Sequence, residues 1–181
     1  MSYKAVDWFE SYLKSDMTVF EYGSGGSTLF FAKRVKTVVS IEHDRLWYDR
    51  VCSELDKHGI SNCHLLLCEP EKTAEPGNDQ QYTSANKGFE GYSFERYVST
   101  IEEYPDASFD LALVDGRARR SCLSHVVQKV RAGGYVVLDD SDRQEYADAE
   151  SLLDSYPRRV FRGLMPYRSR LSHTAVWKIE A

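Results

Sequence analysis

Short apolar runs alternate with segments of helical periodicity along most of the chain. The apolar runs are rich in Val, Leu and aromatic residues, and such continuous runs are typical of strands that are buried on both faces. In chain order they read MTVFEY, KTVVSIE, NCHLLLC, FDLALVD and GGYVVLDD. The segments with helical spacing read AVDWFESYLK, STLFFAKRV, DRLWYDRVCSELDKHG, SFERYVSTIEEY and SCLSHVVQKVRAGG. This alternation predicts an α/β fold in which a doubly wound, mostly parallel sheet is covered by helices on both faces.

The end of the chain departs from this alternation. RRVFRGL and HTAVWKIE are two strand-like runs with no helical pattern between them, so they predict an antiparallel hairpin at one edge of the sheet. Residues 70–91 are polar and rich in Gly, Pro and Asn, and a loop of this length is usually either a functional lid or mobile. No internal repeat is visible. We therefore expect a single domain over residues 1–181.

Charge and composition narrow the class of ligand. The net charge of −5 at pH 7, with both signs mixed along the chain, argues against a general nucleic-acid binder, which usually carries a basic excess. No stretch reaches the roughly 18 to 20 apolar residues of a membrane span, and the N-terminal residues show no pattern of a cleaved leader. These observations predict a cytoplasmic protein with a small-molecule substrate and no membrane partner. A second copy of the chain remains open as a partner.

A glycine-rich stretch follows the first predicted strand. TVFEYGSGGS places Gly23, Gly25 and Gly26 where a strand gives way to a helix, which is where ligands bind in open parallel sheets. Glycines let the backbone approach a ligand closely, and Ser27 is the predicted N-cap of the helix. The second strand ends in Glu42, an acceptor suited to both hydroxyls of a ribose. Together they predict a nucleoside-containing ligand, with a tight turn and a solvated acid as the structural alternatives.

Two positions near the loop distinguish among nucleoside ligands. The dinucleotide fingerprint places glycine or alanine three residues after its second glycine, whereas this chain has Thr28 there. The chain also has an acid, Glu21, two residues before the first glycine. A carboxylate at that point can accept from an ammonium group, and S-adenosylmethionine carries ammonium, carboxylate and ribose together. These residues predict S-adenosylmethionine as the cofactor and leave a nicotinamide dinucleotide as the alternative.

With these motifs the chain resembles the class I S-adenosylmethionine-dependent methyltransferases, whose Rossmann-like fold has a seven-stranded sheet with a reversed last strand. VFEYGSGGS resembles their first motif, VVSIEHD their acidic second motif, and FDLALVDG and GGYVVLDD the motifs of strands four and five. The resemblance implies that Glu42 holds the ribose, and that His43 and Asp115 lie near the cofactor. It also implies that the methionine end is held by Glu21, Gly23, Ser24, Gly25, Gly26 and Ser27. The chain departs from the family after strand three, where it has Cys68-Glu69-Pro70 instead of an acid or amide for the adenine.

Three acids at strand ends predict how the methyl group is accepted. Asp115 follows strand four, and Asp139 and Asp140 follow strand five, so neighbouring strands should bring these carboxylates together. Methyl transfer to oxygen needs a positioned nucleophile and either a base or a metal, which makes Asp115 and Asp139 the candidate catalytic residues. Three converging carboxylates also suit Mg²⁺. The pattern is similar to that of metal-dependent O-methyltransferases of the catechol type, although Ala118 replaces their lysine. Helix capping is the structural alternative.

Arginines follow Asp115 directly and suggest an anionic acceptor. Guanidinium groups bind carboxylates and phosphates well, so Arg117 and Arg119 are candidate substrate ligands, with pairing to local acids as the alternative. The chain lacks the Asn-Pro-Pro-aromatic and Pro-Cys motifs of enzymes that methylate nucleic-acid bases. The sequence thus predicts a methyltransferase that acts on a small acceptor at oxygen. A nicotinamide-dependent oxidoreductase and a non-catalytic S-adenosylmethionine-binding protein remain the alternatives.

Overall fold

Strands and helices alternate along the chain in the predicted way. The computed structural model describes residues 1–73, 82–84, 87–165 and 168–180. The strands are β1 (Thr18–Tyr22), β2 (Thr37–Glu42), β3 (Cys63–Leu67), β4 (Glu71–Lys72), β5 (Tyr92–Ser93), β6 (Phe109–Val114), β7 (Val130–Leu138), β8 (Arg158–Met165) and β9 (Arg168–Lys178). The α-helices are α1 (Tyr3–Tyr12), α2 (Gly26–Ala32), α3 (Arg45–Lys57), α4 (Glu95–Ser99), α5 (Arg119–Val126) and α6 (Ala147–Glu150).

Seven of these strands form one sheet in the order β3-β2-β1-β6-β7-β9-β8. The first five of that order run parallel to one another. Strand β9 then pairs antiparallel with both β7 and β8. The predicted doubly wound sheet and the antiparallel C-terminal hairpin are therefore confirmed. Among the described residues, no helix is long and apolar enough to cross a membrane.

A small second sheet joins the start of the segment 70–91 to the residues that directly follow it. Strand β4 pairs antiparallel with β5, through Glu71 opposite Ser93 and Lys72 opposite Tyr92. Residues 74–81 and 85–86 lie outside the described residues. The interpretation of this segment as a lid accordingly stays a prediction.

The alternation of side chains along β1 divides the core between the two faces of the sheet. Phe20 and Tyr22 pack on one face, in a cluster that also contains Trp177. Val19 points to the other face and packs in the cluster that contains Phe9. Because successive strand residues point to opposite faces and both faces are covered, every position of the strand after Thr18 is buried.

One predicted helix is shorter than its pattern indicated. SCLSHVVQKVRAGG predicted a helix over its whole length, but α5 ends at Val126 and a 3₁₀ turn covers Val127–Lys129. Strand β7 already begins at Val130, which pairs with Phe109 on β6. Gly133 has a φ of +81°, which a helix does not allow. Pairing with the sheet therefore overrides the helical spacing of the last residues in this segment.

Candidate functional site

A cleft of about 960 Å³ opens at the carboxyl ends of β1, β2 and β6. This is the edge at which open parallel sheets bind their ligands, and the volume is typical of small-molecule sites. The predicted site residues that line the cleft are Gly23, Ser24, Gly25, Gly26, Ser27, Glu42, His43, Asp115 and Arg117. Most of the site residues predicted from the sequence therefore lie together in this cleft.

The loop between β1 and α2 is fixed by close packing of backbone against backbone. Gly23 has a φ of +92°, which favours glycine. A Cβ atom added to Gly23 would lie 2.6 Å from the Cα atom of Gly116, which follows β6. Gly25 is different, because its φ of 165° is extended and an added Cβ would meet only Trp47, at 3.9 Å. Gly23 thus serves the fold, whereas Gly25 leaves an open surface along the cleft.

Glu42 presents a buried, ionised carboxylate to the cleft. Its Oε2 accepts from the backbone amide and the hydroxyl of Ser24, at 3.1 and 2.8 Å. Its Oε1 accepts from the amides of His43 and Asp44, at 2.8 and 3.0 Å. Burial by itself would raise the pKa of Glu42, but the contacts of His43, Asp44 and Ser24 outweigh it and hold the pKa below its ordinary value. Glu42 thus places an ionised carboxylate at the cleft, with both oxygens already hydrogen-bonded by the protein.

Glu21 is fully buried between β1, α2 and β2, so it is not placed to accept an ammonium group directly. It accepts hydrogen bonds from Ser27, from Thr28 at 2.5 Å and from Ser40 at 2.7 Å. Burial raises the pKa of Glu21 to about 7, and these hydroxyls offset the rise only in part. The predicted role of Glu21 as an acceptor for the cofactor's ammonium group is therefore corrected. Glu21 instead anchors the first turn of α2. Ser27 lies in that turn, because the N-cap is Gly25.

The wall of the cleft beside β2 is aromatic. Trp47, in the first turn of α3, donates from its indole nitrogen to the carbonyl oxygen of Ser24 at 2.8 Å. The His43 ring lies 5.4 Å from the Phe89 ring, between centroids. Nδ1 of His43 lies 2.8 Å from Oε1 of Glu42, in a contact that is not aligned as a hydrogen bond. Trp47 holds the loop that faces Glu42.

Asp115 lines the cleft and pairs with a buried arginine. Its Oδ1 lies 2.9 Å from the guanidinium of Arg119, and 28% of its side chain remains exposed. Burial raises the pKa of Asp115 to about 6; Arg119 opposes this rise and Asp139 adds to it. Its partial exposure limits the burial effect. A carboxylate with this pKa can accept a proton near neutral pH.

Asp139 and Asp140 each have a different cationic partner. Asp139 is buried, accepts from the Thr174 hydroxyl at 2.7 Å and pairs with the amino group of Met1 at 2.8 Å. Asp140 pairs with Arg143 at 2.7 Å. Among the residues described here, no group of three or more His, Cys, Asp or Glu side chains is arranged to hold a metal ion.

The predicted site of Asp115, Asp139 and Asp140 for Mg²⁺ is therefore corrected, since each carboxylate is neutralised separately by a cation of the protein. The catalytic role predicted for Asp139 is corrected with it, because the side chain is only 2% exposed. Of the three acids, Asp115 is the one that lines the cleft.

Arg119 acts as a bracket between strand ends and is not placed to bind a substrate. Its guanidinium donates to the carbonyl oxygens of Gly116, Asp139 and Asp115, at 3.1, 2.6 and 3.0 Å. Arg117 does line the cleft, with its guanidinium carbon 5.6 Å from the centroid of the Phe89 ring. Only one of the two predicted substrate ligands therefore faces the cleft.

A second wall of the cleft was not predicted from the sequence. It is largely apolar and consists of Tyr3, Val6, Phe30 and Met165, from α1, α2 and the end of β8. These residues belong to elements that are distant in the sequence, and their apolar character is equally compatible with the core. The exposed fraction of Tyr3, 55%, shows that this ring is not core.

Comparisons with known proteins identify the fold. The chain matches no known family by its sequence pattern, and no curated protein sequence matches it. A rRNA methylase from Streptococcus thermophilus aligns with a TM-score of 0.67 and 13% identity, over 98% of this chain and 95% of that one. A proposed methyltransferase from Streptococcus mutans, in complex with SAH, aligns with a TM-score of 0.64 and 12% identity, over 97% of this chain and 96% of that one.

A third structure with this architecture is a precorrin-6y C5,15-methyltransferase from Geobacter metallireducens. It aligns with a TM-score of 0.64 and 15% identity, over 97% of this chain and 88% of that one. At these identities the similarity is one of fold. The chain has the Rossmann-like fold of S-adenosylmethionine-dependent methyltransferases.

Proposed function

We propose that this protein transfers a methyl group from S-adenosylmethionine to an oxygen atom of a small acceptor. The observation that carries the proposal is the meeting of Gly25 and Glu42 in one cleft of a methyltransferase fold. Gly25 offers a backbone surface that a Cβ would fill, and Glu42 offers an ionised carboxylate. These are the groups that a ligand with a ribose and a charged tail requires.

In this proposal, the residues of the cleft have roles in binding and catalysis. Glu42 accepts from the ribose hydroxyls, and the loop from Gly23 to Ser27 passes along the methionine end. Bound S-adenosylmethionine supplies a methyl group on a positively charged sulfur. Asp115 takes the proton from the acceptor hydroxyl, since its pKa of about 6 keeps it ionised at neutral pH. Arg117 favours negative charge on the acceptor.

The apolar wall supports a small acceptor with an apolar body. Tyr3, Val6, Phe30 and Met165 offer such a body a contact surface and exclude water from the reacting oxygen. The proteins of similar fold act, by their names, on a rRNA and on a precorrin, so their variety gives no preference for the acceptor. No metal step enters this proposal, because the three aspartates are committed to cations of the protein.

The test is transfer of radiolabelled methyl from S-adenosylmethionine to a panel of phenols, carboxylic acids and sugars, with and without a chelator. The expected result is a labelled oxygen-methyl product from an apolar acceptor, with no effect of the chelator. Binding of S-adenosylhomocysteine without product from any acceptor would favour a non-catalytic binding protein. Binding of a nicotinamide dinucleotide alone would favour an oxidoreductase. Loss of activity on addition of the chelator would instead support a metal-dependent reaction.

A further inference from the structure

The carboxylate of Glu42 has no vacant acceptor position in the free protein. A carboxylate has about four lone-pair positions, two on each oxygen. Four aligned donors reach Glu42, namely the amide and hydroxyl of Ser24 on Oε2 and the amides of His43 and Asp44 on Oε1. Nδ1 of His43 also lies 2.8 Å from Oε1, but it is not aligned as a hydrogen bond. A ribose hydroxyl can therefore bond to Glu42 only if one of these donors leaves.

Three of the four donors are backbone amides that are held in place. The amides of His43 and Asp44 belong to the turn between β2 and α3, where Asp44 caps the helix by accepting from the Trp47 amide at 2.9 Å. The backbone of Ser24 is held by Trp47, whose indole donates to the Ser24 carbonyl oxygen at 2.8 Å. The next residue, Gly25, donates to the Thr28 hydroxyl at 2.8 Å. Moving any of these amides would break the hydrogen bonds that hold the two turns.

The Ser24 hydroxyl is the donor that can leave, because rotation about one side-chain bond removes it from Glu42. We propose that Ser24 occupies the place of a ribose hydroxyl on Glu42 in the free protein and exchanges with that hydroxyl when the cofactor binds. Ser24 then sets cofactor affinity as a competitor. The protein keeps a buried carboxylate satisfied while the cleft is empty. This rests on the proposed function only for the identity of the ligand, since any ribonucleoside cofactor presents the same hydroxyls.

The exchange has a signature that a purely structural serine would lack. Ser24→Ala removes a hydrogen bond to a buried charge, so the thermal midpoint of the free protein should fall. The same substitution leaves an acceptor position of Glu42 open, so a ribose hydroxyl binds without displacing a donor. The affinity should therefore rise, by about threefold to tenfold, which is a modest part of a charged hydrogen bond. A structural role would lower both stability and affinity.

The experiment is calorimetric titration of wild type, Ser24→Ala and Ser24→Cys with S-adenosylhomocysteine and with NAD⁺. The thiol of Cys is a weak donor, so Ser24→Cys should also tighten binding and serves if the alanine variant folds poorly. Ser27→Ala is the matched control, because the Ser27 hydroxyl donates to Glu21 and its loss should not tighten binding. Tighter binding with a lower thermal midpoint supports the exchange.

Equal or weaker binding by both Ser24 variants overturns it. If wild type binds NAD⁺ and not S-adenosylhomocysteine, the proposed function fails, while tighter NAD⁺ binding by Ser24→Ala would uphold the exchange. If wild type binds neither ligand, both proposals fall.

Discussion

Two buried glutamates at the ends of neighbouring strands differ in charge because their partners differ. Backbone amides and a histidine surround Glu42 and lower its pKa, whereas Glu21 is surrounded by hydroxyls and its burial raises the pKa to about 7. Because Glu21 is buried, the free energy of unfolding should depend on pH. Because Asp115 must be ionised to accept a proton, the activity should depend on pH as well.

Glu21→Gln should remove a pH dependence of stability. As the pH rises from 4.5, the reference value, to about 7, the folded state keeps a proton that the unfolded state has lost, so the free energy of unfolding falls. The total fall is about 3 kcal/mol if the full shift applies. Gln is neutral at every pH, and the surrounding hydroxyls can rotate to suit it. Urea unfolding at pH 5 and pH 8 should show wild type losing this stability relative to the variant; equal losses would contradict the account.

Asp115→Asn should lower the turnover number by about 10²-fold to 10⁴-fold, as expected for loss of a general base. In wild type the rate should rise with pH through about 6 and then level off, since Asp115 accepts a proton only when ionised. The measurement is the pH profile of methyl transfer, with the thermal midpoint as a check on folding. A variant that keeps full activity, or a flat wild-type profile, would remove Asp115 from the mechanism.

Residue roles were predictable where position alone decides them. Glu42 was predicted as a ligand because a strand-end acid beside a glycine loop faces the cleft in this topology, and it lines the cleft as expected. Glu21 could not be assigned this way. Its hydroxyl partners Ser27 and Thr28 reach it from α2, and Ser40 reaches it only when β2 lies beside β1. The separation of Arg117 from Arg119 depends equally on side-chain direction, which the sequence does not contain.

At the scale of elements, two connections hold the edge of the sheet where the cleft lies. The loop after β1 packs against the turn after β6 through Gly23 and Gly116. Arg119 joins that turn to the end of β7. Both contacts use backbone atoms that the sequence pattern does not reveal. The strands themselves were predictable from apolar runs, but the start of β7 was not, because its pairing with β6 decides it.

Gly25→Val should abolish cofactor binding and leave the fold intact, and Gly25→Ala should weaken binding to a lesser degree. An added Cβ would meet no atom of the protein closer than 3.9 Å, so it would instead enter the cleft. Gly163→Ala is the control, because its Cβ would lie 3.5 Å from Ser2, in ordinary contact on β8. Calorimetry and the thermal midpoint are measured together. Undiminished binding by Gly25→Val would show that the loop does not contact the cofactor.

Arg119→Met should lower the free energy of unfolding by about 3 to 5 kcal/mol, because it leaves Asp115 without its cation in a partly buried position. Arg119 itself is only 8% exposed. The adjacent Arg120→Met is a matched control, since Arg120 is 44% exposed and lies 3.7 Å from a well-exposed Asp148. Its substitution should cost less than about 1 kcal/mol. Similar urea midpoints for the two variants would contradict the bracket role of Arg119.

At the scale of the whole molecule, the cleft is assembled from parts of the chain that lie far apart. Its walls come from α1, the loop after β1, the end of β2, the turn after β6 and the end of β8. A ligand that contacts all of them favours the folded state, by about 2.7 kcal/mol at a concentration 100 times its dissociation constant. The fold supplies this arrangement, whereas the acceptor depends on the shape of the apolar wall.

The most direct test of the account is calorimetric titration of the purified protein with S-adenosylhomocysteine, beside Glu42→Gln and with NAD⁺ as the competing ligand. We predict micromolar binding of S-adenosylhomocysteine to wild type, no comparable binding of NAD⁺, and a loss of about 1 to 3 kcal/mol of binding free energy in Glu42→Gln, as for a charge-assisted hydrogen bond. Absence of S-adenosylhomocysteine binding, or equal binding by Glu42→Gln, would contradict it.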